Sequence, residues 1–163
     1  MKRVIFIGQA MPRLKKDLHD WPSLNSWLYS IGITHNEIQK YFFYSALVDY
    51  FPGAKNGSHR VPTPEEIKKE RTRLAKTLKE FNPDIVIPIG RLSIAHCLNK
   101  KVEPLEVNIG KTLIVNPYGL FKKSLIIPLP HPSGASTWHH KKENQKLLQV
   151  SLSLLKRGIK GEL

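Results

Sequence analysis

Three short apolar runs, Arg3-Val4-Ile5-Phe6-Ile7, Asp84–Ile89 and Ser124–Leu129, each stop abruptly at glycine or proline. Their apolar residues are consecutive, not alternating, so each reads as a strand buried on both faces. Stretches with helical spacing separate them. That order predicts an α/β fold: a three-layer α/β/α sandwich around a central, mostly parallel sheet. Ligands of such sheets bind beyond the carboxyl ends of the strands. Function is therefore expected in two loops, Gly8-Gln9-Ala10-Met11-Pro12 and Pro130-His131-Pro132-Ser133-Gly134.

The remaining elements follow from local signals. A helix is expected over Leu24–Ser30, ending at Gly32, and a second strand within Phe42–Val48. Phe51-Pro52-Gly53 opens a polar loop, Ala54–Pro62. Thr63-Pro64-Glu65-Glu66 starts a helix with a capping box, and Ile67, Leu74, Leu78 and Phe81 form its apolar stripe. Asn82-Pro83 ends it. After Gly90 comes a short helix, Leu92–Leu98, then strands at Thr112–Val115 and Ser124–Leu129. A last helix is expected over Lys142–Lys156, with Leu147, Leu148, Leu154 and Leu155 inward. With 163 residues and no linker or repeat, the expectation is a single domain over 1–163.

Charge narrows the partners. Twenty-six Lys and Arg oppose 13 Asp and Glu, a net charge of +13, which implies a polyanion, nucleic acid first. A small neutral substrate needs no such field. No apolar run approaches the roughly 20 residues of a membrane span. The first strand begins at once, so no signal peptide is expected, and the expected location is the cytoplasm, at the nucleoid. Cys97 is the one cysteine, within Ile94-Ala95-His96-Cys97-Leu98. That rules out an intrachain disulfide or a four-cysteine cluster and suggests a packed core thiol.

Taken together, the two loops resemble motifs of the uracil-DNA glycosylase superfamily. Gly8-Gln9-Ala10-Met11-Pro12 stands at its first motif and His131-Pro132-Ser133-Gly134-Ala135-Ser136 at its His-Pro-Ser loop. The stretches Thr63–Ile67 and Asn82–Gly90 are similar to the corresponding part of the bacterial and archaeal iron–sulfur members. The resemblance covers nearly the whole chain. It implies a monofunctional glycosylase that flips a deaminated base out of DNA and hydrolyses its N-glycosidic bond, uracil first. Alternatives are hypoxanthine, xanthine or another deaminated base, a DNA-binding protein that has kept the fold without turnover, or a hydrolase acting on free nucleosides or nucleotides, against which the net charge speaks.

On this resemblance His131 is the donor to the departing base and Gln9 a candidate for positioning water. The base is held by Gly8, Gln9, Ala10, Trp21, Ala46 and His131. Trp21 is a stacking candidate, equally readable as core; Phe42 and Phe43 are the other options. DNA contacts fall to Ser133, Gly134, Ala135, Ser136, Trp138, Lys141 and Lys142, with Ala135 or Trp138 as wedge. Trp138 could equally pack on the last helix.

Three departures stand out. The cluster cysteines are absent, and Arg71 lies about where one would fall. Gln9-Ala10 offers no carboxylate, leaving Asp17, Asp20 and Asp49 as candidates to assist water. Ala46 stands where several relatives read uracil with asparagine. The basic segments Arg13–Lys16, Lys55–Arg60 and His139–Lys142 are expected to flank the ligand side. His139-His140 has no third ligand at a metal-binding spacing. The expectation is a monomer acting on DNA, with no metal, cofactor or membrane.

Overall fold

A computed structural model describes residues 1–11, 21–55, 58–132 and 137–163. The main sheet has five strands in the order β2-β1-β5-β7-β6: β2 (Phe42–Val48), β1 (Val4–Ala10), β5 (Ile85–Pro88), β7 (Ser124–Ile126) and β6 (Leu113–Val115). The first four are mutually parallel, and β6 joins β7 antiparallel at one edge. A two-stranded ribbon, β3 (Ala54–Lys55) with β4 (Ser58–His59), occupies part of the segment expected to be loop.

Alternation along β1 sorts the core into two halves. Val4 and Phe6 face one side, with Leu24 and Leu28 of α1 (Pro22–Ser30), Ile38 of α2 (His35–Tyr41) and Leu152 and Leu155 of α5 (Lys142–Ile159). Ile5 and Ile7 face the other, with Ile67, Leu74 and Leu78 of α3 (Pro64–Phe81) and Cys97 of α4 (Arg91–Leu98). Val4 through Ile7 are wholly buried, which is why the run carries no polar residue. Each large side chain so buried contributes about 1.5–3 kcal/mol. The expected α/β/α layering is thus observed.

Two helical details differ from expectation. The buried stripe of α5 is Leu148, Leu152, Leu155 and Ile159, while Leu147 and Leu154 are only partly covered. Gly158 lets α5 approach the sheet, since a Cβ there would lie 3.2 Å from Leu125 and 3.3 Å from Ile85. Helix α2 was not expected. Its signal is present, however: Thr34 and Glu37 form a reciprocal capping box.

The edge strand β2 is stapled to α3. Arg73 donates to Ser45 Oγ at 3.0 Å and to the carbonyls of Ala46 at 2.7 Å and Leu47 at 3.3 Å. Glu70 accepts the N–H of Asp49 at 2.6 Å. These bonds occupy polar groups of β2 and its following residue at a sheet edge.

Beyond β2, Glu66 gathers the chain. It pairs in a fork with Arg60 at 2.6 and 3.1 Å, accepts the Tyr50 hydroxyl at 2.6 Å and takes the Thr63 N–H at 3.0 Å. Arg60, expected to help track a phosphate backbone, is instead neutralised here and also donates to Pro52 O. The Arg60 guanidinium, then the Tyr50 hydroxyl and the Thr63 N–H, hold the Glu66 carboxyl well below the usual carboxylate range. A carboxyl depressed in the folded state stabilises above its unfolded value of about 4.3 and loses that contribution as pH falls further. Glu66→Gln is therefore expected to lower the melting temperature at neutral pH. The gap to wild type should narrow below about pH 4 in thermal melts followed by circular dichroism.

Candidate active site

The strand order sets the site. β1, β5 and β7 are neighbours and parallel, so Gly8–Ala10, Gly90 and the approach to His131 emerge along one edge of the sheet. Past β7 the chain stays in register: Leu129 bridges Ile89, and Gly90 N–H donates to Leu129 O at 2.9 Å. Two strand spacings separate β1 from β7, on the order of 10 Å. The loops that follow the two strands therefore start within about 10 Å of each other, on either side of Gly90. Gly90, between them at φ +85°, presents no side chain; a Cβ there would sit 4.0 Å from His131 Cβ.

The site's near wall is aromatic. Trp21 lies at the start of α1, its ring 4.7 Å from that of Tyr44 and edge-on to His131 at 5.8 Å. Trp21 is buried in the core, and its ring also adjoins His131. Tyr44, on β2, reaches across to β1, where its hydroxyl covers the Cα of Gly8. Burial pushes its phenol well above the ordinary tyrosine range, so it stays neutral. Ala46 is wholly buried, paired with Gly8 across the β1–β2 ladder. Gln9 and Ala10, the last residues of β1, are partly exposed at the mouth.

His131 itself is exposed, and its backbone is held from behind. His139 Nε2 lies 2.9 Å from His131 O; a carbonyl only accepts, so His139 carries the proton on that nitrogen. The His139 ring sits between Trp27 at 5.9 Å and Trp138 at 5.4 Å, and its own carbonyl accepts from Gln145 of α5. Nothing in the sequence marked His139 for this role. On the opposite face Ser93 of α4 donates to Ile7 O at 2.6 Å, one residue before Gly8. Ser93 Oγ in turn lies 2.7 Å from the Tyr118 hydroxyl, which donates to it.

Other candidates divide. Trp138 is half-buried; its indole N–H donates to Glu106 and its carbonyl accepts from Asn144 of α5, so it packs on the last helix as well as on His139. Lys141 and Lys142 are exposed at the start of α5. Asp49 follows β2, three strand spacings from β7, on the order of 14 Å along the edge. That makes it a distant partner for His131. Burial pushes the Cys97 thiol up to about 12, so it is a packed thiol and no nucleophile at neutral pH. Phe42 is buried in the core and Phe43 stacks on Phe81, away from this edge. Pro12, Asp17, Asp20, the Arg13–Lys16 run, Ser133, Gly134, Ala135 and Ser136 lie outside the described residues. Among the described residues no three His, Cys, Asp or Glu are grouped to hold a metal ion, and no helix is long and apolar enough to cross a membrane.

The Gly8–Tyr44 contact yields a test. Gly8→Ala is expected to displace the Tyr44 ring, destabilise the fold by about 1–3 kcal/mol as an overpacked contact does, and perturb the wall beside Trp21. Tyr44→Phe removes the colliding oxygen, and the double variant should recover part of the loss. Chemical denaturation of the four proteins checks this; strict additivity would show that the two residues do not interact.

These elements answer to a known family. A model of the uracil DNA glycosylase superfamily matches residues 2–155. No individually curated protein matches the chain. The matched span takes in the whole sheet, α1 to α4, all but the last four residues of α5, and both loop motifs. From Lys2 to Leu155, and in the layered sheet that carries Gly8 and His131 to one edge, the chain belongs to the uracil-DNA glycosylase superfamily.

Proposed function

We propose that this protein excises a deaminated base from DNA, uracil first, and so opens base-excision repair. Superfamily membership supports DNA glycosylase chemistry in general. The observation that carries the finer reading is the exposed His131, with its backbone braced, one strand from Gly90 and two from Gly8–Ala10.

In this reading the target nucleotide is flipped into the space between the β1 and β7 loops. The bond from C1′ to the base nitrogen breaks, and its electron pair leaves with the base. Negative charge collects on the carbonyl oxygens of the base, where an N–H of His131 meets it, and the N–H groups of Gln9 and Ala10 hold the other side. The sugar, now oxocarbenium-like, takes oxygen from water, whose proton passes to solvent. With no carboxylate in the first loop, Gln9 orients that water. Gly8 and the indole rim of Trp21 shape the slot. Ala46 offers no amide to the base edge, which makes a base other than uracil, hypoxanthine for example, the first alternative. Ser133 and Ser136 hold a phosphate, Ala135 or Trp138 fills the gap, and Lys141 and Lys142 add charge beside them. The protein acts as a monomeric single domain.

A second reading, a DNA-binding protein without turnover, rests on the same Ala46 and on the absence of a carboxylate at Gln9-Ala10.

His131→Ala is expected to slow single-turnover excision from uracil-containing oligonucleotides by roughly 10²–10³, the scale for one preorganised donor to a developing anion. Binding should change little, because that donor acts in the transition state. Abasic sites are read by alkaline cleavage on gels, with uracil, hypoxanthine and xanthine substrates in single and double strands. Full activity in the variant would remove His131 from this role. DNA binding without excision of any base by the wild-type protein would establish the second reading.

DNA affinity should fall steeply with salt, by about one released counterion per phosphate neutralised. Replacing Lys141 and Lys142 together with Gln is expected to reduce both affinity and salt slope, equally on damaged and undamaged duplexes. Fluorescence anisotropy across a salt series measures both. An affinity indifferent to salt would point away from nucleic acid.

A further inference from the structure

One cavity among the described residues lies apart from the proposed glycosylase site. It encloses about 560 Å³ between the C-terminal half of α4, the middle of α3 and the turn at Tyr118-Gly119. Helix α4 starts at Arg91, just after Gly90, which neighbours His131, and the cavity lies around its far end, about 12 Å along an eight-residue helix. The volume falls in the range of about 300–1,000 Å³ typical of small-molecule sites.

Its lining is cationic. Arg71, His96, Lys100 and Lys101 contribute to it, joined by the amides of Asn99 and Asn116, and no carboxylate lines it. A helix C-terminus ordinarily repels anions. Here two of the terminal carbonyls are occupied: the Asn99 and Lys100 N–H groups turn back onto His96 O and Ala95 O. Lys100 is already matched, bonded to Glu103 at 2.6 Å and to Asn108 Oδ1 at 2.7 Å. Arg71 has no such match. Its guanidinium makes one bond, from Nη2 to Tyr118 O at 3.0 Å, and no ion pair among the described residues. That single anchor holds the group in the cavity lining and leaves most of its five N–H donors unspent. Tyr118, in the left-handed region at φ 59°, is held there by Arg71 on its carbonyl and Ser93 on its hydroxyl. Ala95, Val102 and Gly119 supply an apolar wall.

We propose that this cavity binds a phosphate group carried by a small molecule of nucleotide size, with Arg71 forking onto the phosphate oxygens and His96, Lys101 and Asn99 completing the shell. Guanidinium and phosphate match in geometry, and a charged donor in a recessed site binds about twice as strongly as a neutral one. A DNA phosphodiester offers the same chemistry, but the cavity lies at the end of α4 remote from the edge where DNA is expected. The proposal does not depend on glycosylase activity.

His96 reports on occupancy. Burial, and then the Arg71 charge, hold its imidazole below the usual histidine value. The charged groups facing it are Arg71, Lys100 and Lys101, with Glu103 behind Lys100. A bound phosphate supplies the missing negative charge, so the His96 titration midpoint should rise. The experiment is a histidine-ring NMR titration of the intact protein with orthophosphate and with a deoxynucleoside 5′-monophosphate, His96 being assigned through His96→Gln. Both ligands should shift the His96 resonance and raise its midpoint. Arg71→Gln should weaken phosphate about tenfold, or ~1.4 kcal/mol. Lys101→Gln, an exposed site that leaves the Tyr118 anchor intact, should weaken it about threefold, as fits a solvated charge. Duplex DNA affinity should be unchanged in Lys101→Gln. No His96 response, or one equalled by chloride at the same ionic strength, overturns the proposal. So does a loss of DNA affinity in Lys101→Gln, which would assign the cavity to the nucleic-acid backbone.

Discussion

Strand β1 is the constraint on which the structure turns. It is paired along both edges, to β2 and to β5, and covered on both faces, so Val4 through Ile7 meet no water. Such a strand has no freedom of register: a shift of one residue would exchange the two halves of the core. Its alternation therefore decides that Gly8 falls on the same face as Tyr44 and Trp21. The helices on the opposite face lock the other side through Ser93 and Ile7 O. The first loop of the site is thus aimed by burial several residues before it begins.

Elements with a one-dimensional signature were legible in the sequence. The consecutive apolar runs, the Thr63 capping box and the turn at Asn82 announced β1, β5, β7 and α3 because each depends on neighbours close along the chain. Helix α2 carried the same kind of signal in Thr34 and Glu37, but its body, His35–Tyr41, has one buried residue and no apolar stripe. In α5 the pattern of leucines supports two helical faces a residue apart. The buried face is the one with Leu152, and Gly158 on that helix closes onto Leu125 and Ile85. The loops around Gly8 and His131 were recognisable as chemistry. Their braces, His139, Tyr44 and Ser93, were not, since each acts on a partner 8 or more residues away with no characteristic spacing.

Charge also divides by use. The chain carries a large positive excess, yet Arg60, Arg73 and Lys100 are spent on holding the structure together, each facing a carboxylate. Those with no ion pair among the described residues, Arg71, Lys101, Lys141 and Lys142 among them, set the field that a ligand experiences. Net charge read from composition overstates that field where arginines serve as staples, and its direction depends on which cations remain uncommitted.

The contact between His139 and the carbonyl of His131 has a consequence for how the site answers to acidity. Nε2–H donates to that carbonyl whether the ring carries one proton or two. The brace is therefore indifferent to the charge of the residue that provides it. A histidine that accepted a bond at this place would let go on protonation, and the loop would loosen in step with the medium. As built, the bond to the His131 carbonyl is available in either charge state of the ring, so the brace fixes the backbone of His131 without making it a sensor of acidity.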